Sequence, residues 1–254
     1  MTTIKEDFSE GTSVIHRLDP RVKLVVAGLF SAVVAMARSP VAVWLSLLLA
    51  VLWLGLAHLN LKKVGTRLLM VNGFIFFLWL ILPFTFPGQP AFMVGPLTAS
   101  RQGLELAGLL TLKSNTILLA LISLVTTISI PTLGQALHHL RLPHKLCYLM
   151  LFTYRYLYVF EQEYHRLRQA IKVRGFRPRT NLHTYRTYAY LVAMLLVRSH
   201  DRAERVFQAM RCRGFKGKFY SLHQFSWHRR DLVFLVSMLP CIMTFLWLDY
   251  CFPR

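Results

Sequence analysis

Between Val22 and Ile130 the chain places only 7 Lys/Arg and one acid, Glu105, in 109 positions. A soluble domain carries about 25% charged residues, so a stretch this poor in charge belongs in lipid. Residues 131–230 reverse the balance, with 19 Lys/Arg and 4 acidic residues. Overall the 254 residues are 55% hydrophobic and 16% charged, with a net charge of +19. That much apolar sequence excludes a disordered chain, and it argues against a nucleic-acid-binding globule despite the basic balance. The four cysteines, Cys147, Cys212, Cys241 and Cys251, show no CxxC spacing and indicate neither a zinc site nor a redox pair.

About 20 consecutive apolar residues cross a bilayer core. Val22–Ala37 and Val41–Leu59 are two such runs, parted by Arg38-Ser39-Pro40. Leu68–Phe86 is a third, ending in Pro83 and Pro87, and Leu104–Ile130 is a fourth, stopped by Pro131. A fifth, Leu232–Tyr250, follows the charged stretch. The 21 residues before the first run are polar, and no signal peptide is expected there. Lys5, Arg17, Arg21, Lys62, Lys63, Arg67 and the basic stretch all fall on one side of a five-span arrangement. The opposite side holds only Arg38, Arg101 and the tail Arg254. The positive-inside rule then puts the basic side in the cytoplasm. The expected fold is an all-α integral membrane protein of about five transmembrane helices plus a cytoplasmic domain of long amphipathic helices. Its parts are an N-terminal cytoplasmic segment (1–21), a four-span membrane domain (22–130), a cytoplasmic helical domain (131–230) and a final span with its tail (231–254).

Within the basic stretch a short helix is expected over Leu133–Leu140, then two long ones. Pro143 opens a helix to about Val173, and Asn181, a good N-cap residue, opens another to about Arg213. Their first halves are apolar and aromatic and their second halves charged, while Arg155, Arg186 and Arg198 argue against spanning. They read as helices lying against the bilayer surface, with basic flanks near anionic headgroups.

The two helices end alike. Aligned without gaps at an offset of 39, residues 162–176 and 201–215 share six of fifteen positions. The identities are Arg166/Arg205, Gln169/Gln208, Ala170/Ala209, Arg174/Arg213, Gly175/Gly214 and Phe176/Phe215. One Arg-Gly-Phe reads as an ordinary helix stop, with Gly in the left-handed conformation and Arg complementing the negative helix end. Two copies on two long helices suggest a device presented twice, suited to a partner with two-fold symmetry.

Paired Arg-Gly motifs closing cytoplasmic helices, after four spans and before a last one, resemble the transmembrane T component of energy-coupling factor transporters. The resemblance runs from His16-Arg-Leu-Asp-Pro-Arg-Val-Lys-Leu24 to the final span, and Arg202–Gly217 carries its most specific segment. The subgroup it looks most like is the CbiQ, cobalt-transporter type. The family pattern is Ala-Arg-Gly, and here Val173 and Cys212 replace the Ala. The resemblance implies a non-catalytic coupling subunit with no cofactor of its own, in the bacterial cytoplasmic membrane. Its implied partners are two ATP-binding-cassette ATPases and a separate CbiM-like substrate-binding membrane subunit. Arg174 and Gly175 would dock one ATPase and Arg213 and Gly214 the other, with Arg166, Ala170, Arg205 and Ala209 as supporting positions. Which ATPase each motif meets stays open, as does the choice among cobalt, nickel and vitamins.

No catalytic constellation competes. GxxxxGK[ST], HExxH and GxSxG motifs are all missing from the sequence. His138, His139 and His144 lack a neighbouring Cys or carboxylate at chelating spacing, so no metal site is expected. Lys113 and Asn115, at membrane depth in the fourth run, either serve function or fill internal contacts. A second function class, a polytopic membrane enzyme or scaffold acting on anionic lipids, would use the basic domain to attract its substrate.

Overall fold

The computed structural model describes residues 11, 13, 15–85, 89–94, 97–140, 142–217 and 229–251. Lys5, Pro87 and Arg254, which entered the orientation and span readings, lie outside these. Eight helices are present among the described residues: α1 (Pro20–Met36), α2 (Pro40–Ala57), α3 (Leu61–Thr85), α4 (Arg101–Leu124), α5 (Ile130–His139), α6 (His144–Val173), α7 (Leu182–Cys212) and α8 (Arg229–Cys251). Among the described residues the one departure from helix as regular structure is a short antiparallel hairpin between α3 and α4. It pairs β1 (Pro90–Val94) with β2 (Leu97–Ser100), placing Met93 opposite Thr98 and Val94 opposite Leu97. The described residues divide into two units, 11–133 with 229–251, and 134–217.

In the first unit α4 packs against α1, α2 and α3, and α8 packs on α1 and α2. By length and composition α2, α3 and α4 can cross a membrane. Helix α1 has 17 residues, short of the roughly 20 of a full span, and α8 opens on Arg229, Arg230 and Asp231. Lipid tails are as apolar as Leu, so close packing rather than exclusion from water holds such helices together. Small residues accordingly sit at the contacts: Ala42, Ser46 and Ala50 are buried on α2, and Thr116, Ala120 and Ser123 on α4. Val22, Val26, Phe30 and Val34, four residues apart on α1, form a buried stripe. Phe30 meets Trp53 edge-on, ring centroids 4.9 Å apart.

Helix boundaries differ most from the sequence expectation at the start of α3 and the end of α4. Helix α3 begins at Leu61, seven residues before the apolar run at Leu68, because Asn60 caps it: its side chain accepts the Lys62 N–H at 3.1 Å. The fourth run breaks after Leu124 instead of continuing to Ile130. There Thr127 Oγ1 donates into the last turn of α4, 3.0 Å from the Leu124 carbonyl oxygen, and Pro131 falls in the first turn of α5. Thr126 Oγ1 likewise turns back to Ile122, and such back-bonding bends or ends helices.

In the second unit, α6 has 30 residues and α7 has 31. Pro143 is the N-cap position of α6. Asn181 caps α7, its side chain accepting the Thr184 N–H at 3.0 Å.

Candidate functional site

Both long helices close on the same cap. At α6 the Gly175 N–H donates to Lys172 O at 3.0 Å and the Phe176 N–H to Ile171 O at 3.3 Å. At α7 the Gly214 N–H donates to Arg211 O at 3.0 Å and the Phe215 N–H to Met210 O at 3.1 Å. This is the Schellman arrangement, which satisfies carbonyls that a helix end otherwise leaves open and needs a left-handed residue at its corner. Gly175 has φ +77° and Gly214 φ +78°, so glycine is present for its backbone. A Cβ at either position would meet nothing within 4 Å. Arg174 and Arg213 are the C-cap residues, and both are exposed at the helix tips. Ala170 O and Ala209 O accept the N–H groups of these two arginines, at 3.3 and 3.2 Å.

Helices α6 and α7 pack on one another. Arg198 of α7 donates to the Glu163 carboxylate of α6, and Arg166 approaches the same carboxylate at 3.6 Å. The hydrogen bond from Arg198, helped by the charges of Arg198, Arg166 and Arg202, holds the Glu163 carboxyl below the usual carboxylate range. Residues at the same 39-residue offset meet here: Val159 with Arg198 and Phe160 with Ser199, just before the repeat, and Glu163 with Arg202 within it line a common cavity. From Glu163 to Arg174, and from Arg202 to Arg213, is eleven residues in each case, an arm of about 16 Å at 1.5 Å per residue. The repeat thus yields two arms of equal length, each ending in an exposed arginine.

The tips differ beneath the cap. Phe176 packs its ring against Tyr188 and His183 at the start of α7, centroids 6.0 and 6.1 Å away. Phe215 instead lines an apolar groove of about 370 Å³ with Phe152, Tyr156 and Phe160 of α6. The supporting arginines differ too, since Arg166 is engaged with Glu163 while Arg205 lines the cavity between the helices.

His138 and His144 stack edge-on with ring centroids 4.2 Å apart, and His139 lies 5.7 Å from His138. Among the described residues no three His, Cys, Asp or Glu side chains gather as a metal site would require. Lys113 and Asn115 make internal contacts. Lys113 Nζ donates to Ala35 O at 2.9 Å, and Asn115 Nδ2 donates to Asn72 Oδ1 on α3 at 3.0 Å.

A buried charged cluster escaped the sequence reading. Lys23 is 1% exposed, Asp231 2% and Asp19 6%. Asp19 caps α1 by accepting the Arg21 N–H at 2.9 Å, while its own N–H donates to Asp231 Oδ1 at 2.7 Å. Lys23 Nζ reaches Thr127 Oγ1 at 3.5 Å, and the nearby negative charges are Asp231 and Asp19. The cluster ties the starts of α1 and α8 to the bend after α4. Its signal in the sequence was a lysine inside an apolar run and a lone acid opening the last one.

The family model CbiQ, described as "Cobalt transport protein", matches residues 11–224. The chain is 29% identical over 255 residues to the energy-coupling factor transporter transmembrane protein EcfT of Bacillus subtilis, covering 91% of this chain and 92% of that one. It is 27% identical over 259 residues to the EcfT protein of Lactococcus lactis, covering 94% of both. The EcfT protein of Bacillus selenitireducens is 25% identical over 252 residues, covering 91% of each.

Proposed function

The chain belongs to the CbiQ family, and on that premise we propose that it is the transmembrane coupling component of an energy-coupling factor importer. The observation that carries this reading is the pair of identical Schellman-capped tips, each presenting an exposed arginine at the end of an equal arm. A guanidinium offers a rigid five-donor fork suited to carboxylates or helix-end carbonyls, and arginine is enriched among residues that dominate interfaces. Two such tips suit two ATP-binding-cassette subunits related by two-fold symmetry. Arg174 with Gly175 docks one ATPase and Arg213 with Gly214 the other. Ala170 and Ala209 anchor the caps, and Arg166 and Arg205 flank the point where the arms meet. ATP-driven approach of the two ATPases moves the tips, and α6 and α7 carry that motion to a separate substrate-binding membrane subunit. The chain hydrolyses nothing itself. Its site of action is the bacterial cytoplasmic membrane, with α6 and α7 on the cytoplasmic side, as the 19 basic against 4 acidic residues of 131–230 favour.

The proposed cargo is cobalt, in keeping with the family's description, with nickel and vitamins as the alternatives. Co-purification of the ATPases with wild type and with the Arg174→Ala, Arg213→Ala and double variants tests the docking. Losing one buried interfacial charge costs about 2–5 kcal/mol, so each single variant should weaken the complex about 30-fold or more and the double should abolish it. Lys in place of Arg should rescue only in part, because a point charge cannot reproduce the fork. Wild-type pull-down and wild-type uptake in the double variant would sink the docking reading. Uptake of labelled nickel, but not cobalt, by the complete transporter would replace the cargo and leave the docking reading standing.

A further inference from the structure

We propose that the junction of α6 and α7 is a binding site for one anionic phospholipid, independent of the docking role of the tips. Two adjoining cavities motivate this. The first, of about 260 Å³, is lined by Arg198, Arg202 and Arg205 together with Glu163 and Asp201. Three positive and two negative groups leave it one positive charge in excess. Glu163 is occupied by Arg198 and Arg166. Arg202 and Arg205 form no ion pair within 4 Å among the described residues, so their forks are available to a phosphodiester, which arginine binds through two parallel N–H bonds.

The second cavity is the apolar groove beneath Phe215. Phe160, Ser199 and Arg202 line both cavities, so the two adjoin. Its walls run from Phe152 to Phe160 on α6 and from Ser199 to Met210 on α7, which makes it about 12–16 Å long at 1.5 Å per residue. An apolar trough bordered by Arg202, beside a cavity that Arg202 and Arg205 both line, matches an anionic head carrying an extended hydrocarbon tail. A free phosphate would leave the trough empty. A zwitterionic lipid would bring its ammonium group to a wall already in positive excess. At the first tip the place beside Phe176 is filled by Tyr188 and His183. At the second, the acyl chain fills the corresponding place beside Phe215 and stiffens that tip.

Native mass spectrometry of the delipidated full chain tests the assignment, with phosphatidylglycerol and phosphatidylcholine of identical acyl chains and with glycerol phosphate as the chain-free head. Wild type should bind one phosphatidylglycerol at least tenfold more tightly than phosphatidylcholine, and glycerol phosphate at least a hundredfold more weakly. R202A/R205A should lose the preference for phosphatidylglycerol, whereas R202K/R205K, which keeps the charges without the forks, should bind more tightly than the alanine pair and more weakly than wild type. Ala203→Trp, which plugs the groove, should lose the lipid, while R186A, an exposed arginine outside both cavities, should bind as wild type does. Equal binding of the two lipids overturns the proposal, as does full retention by R202A/R205A or a lysine pair as weak as the alanine pair. Glycerol phosphate binding as tightly as the lipid would make this a soluble-anion pocket and would overturn it as well.

Discussion

Replacing Gly214 by Ala isolates the contribution of one backbone conformation to the working of a helix tip. At φ +78° an L-residue is in the left-handed region, where its Cβ crowds the following carbonyl at a cost of about 1–2 kcal/mol. Because an added Cβ meets nothing within 4 Å, no steric contact with a neighbour adds to that figure. What is lost is the corner holding two hydrogen bonds, from Gly214 N to Arg211 O and from Phe215 N to Met210 O. An interface that accepts only the capped tip has its apparent affinity reduced by the fraction of tips still capped. One to two kcal/mol therefore corresponds to an affinity loss of up to about 5- to 30-fold. Hydrogen exchange at the amides of residues 214 and 215 reads the local opening, and titration with the ATPases proposed as partners reads its consequence. Both should fall by a similar factor in Gly214→Ala, by less in Gly214→Asn, since Asn tolerates the left-handed region, and by more in Gly214→Val. The midpoint of global unfolding should barely move. Gly28, whose added Cβ also meets nothing, lies inside α1, so Gly28→Ala should be neutral or stabilising by roughly 0.5–1 kcal/mol. Wild-type amide protection and wild-type ATPase affinity in Gly214→Ala would refute the reasoning, and so would equal effects of Ala at positions 28 and 214.

Lys23→Met should destabilise the helical bundle by about 1–3 kcal/mol, because it removes the positive charge near the buried Asp231 and Asp19 and the Lys23 contact to Thr127. Thermal unfolding in detergent measures this, and an unchanged midpoint would show that the cluster is not electrostatically coupled. Glu163 contributes to the α6–α7 junction as a carboxylate whose folded pKa lies below its ordinary value of 4.5. That contribution is fully present above the ordinary value and is lost only as pH falls through the depressed one. ATPase binding should therefore show no Glu163-dependent change between pH 8 and pH 6, while Glu163→Gln weakens binding equally across that range; a step between pH 6 and 7 that vanishes in the Gln variant would contradict this. Reconstituted alone in liposomes around a cobalt-sensitive dye, the chain should admit no ion, and saturable ATP-independent entry would place the path in this subunit.

The sequence by itself determined the class and the tips. Lipid tolerates only backbone that is satisfied within its own segment, so the apolar runs of the charge-poor stretch fold as helices, while the hairpin at 90–100 falls between the third and fourth runs. Arg-Gly-Phe announced the Schellman corner at residues 174–176 and 213–215 because the cap is built from bonds within six consecutive residues. Asn181 announced the start of α7 for the same reason. Local chemistry is legible locally. The break after Leu124 was less so, since Thr126 and Thr127 end α4 through side-chain bonds that compete with the helix ladder inside an unbroken apolar run. Contacts between distant segments were not legible at all. Asp19 meets Asp231 across 212 residues of chain, and Asn72 meets Asn115 across 43, while neither partner's sequence neighbourhood specifies the other. The 39-residue repeat predicted two equivalent tips, yet only the packing of α7 on α6 decided that Phe176 is covered by Tyr188 and that Phe215 borders an open groove. Both phenylalanines follow the same motif; what differs is the neighbouring helix surface that folding brings to each.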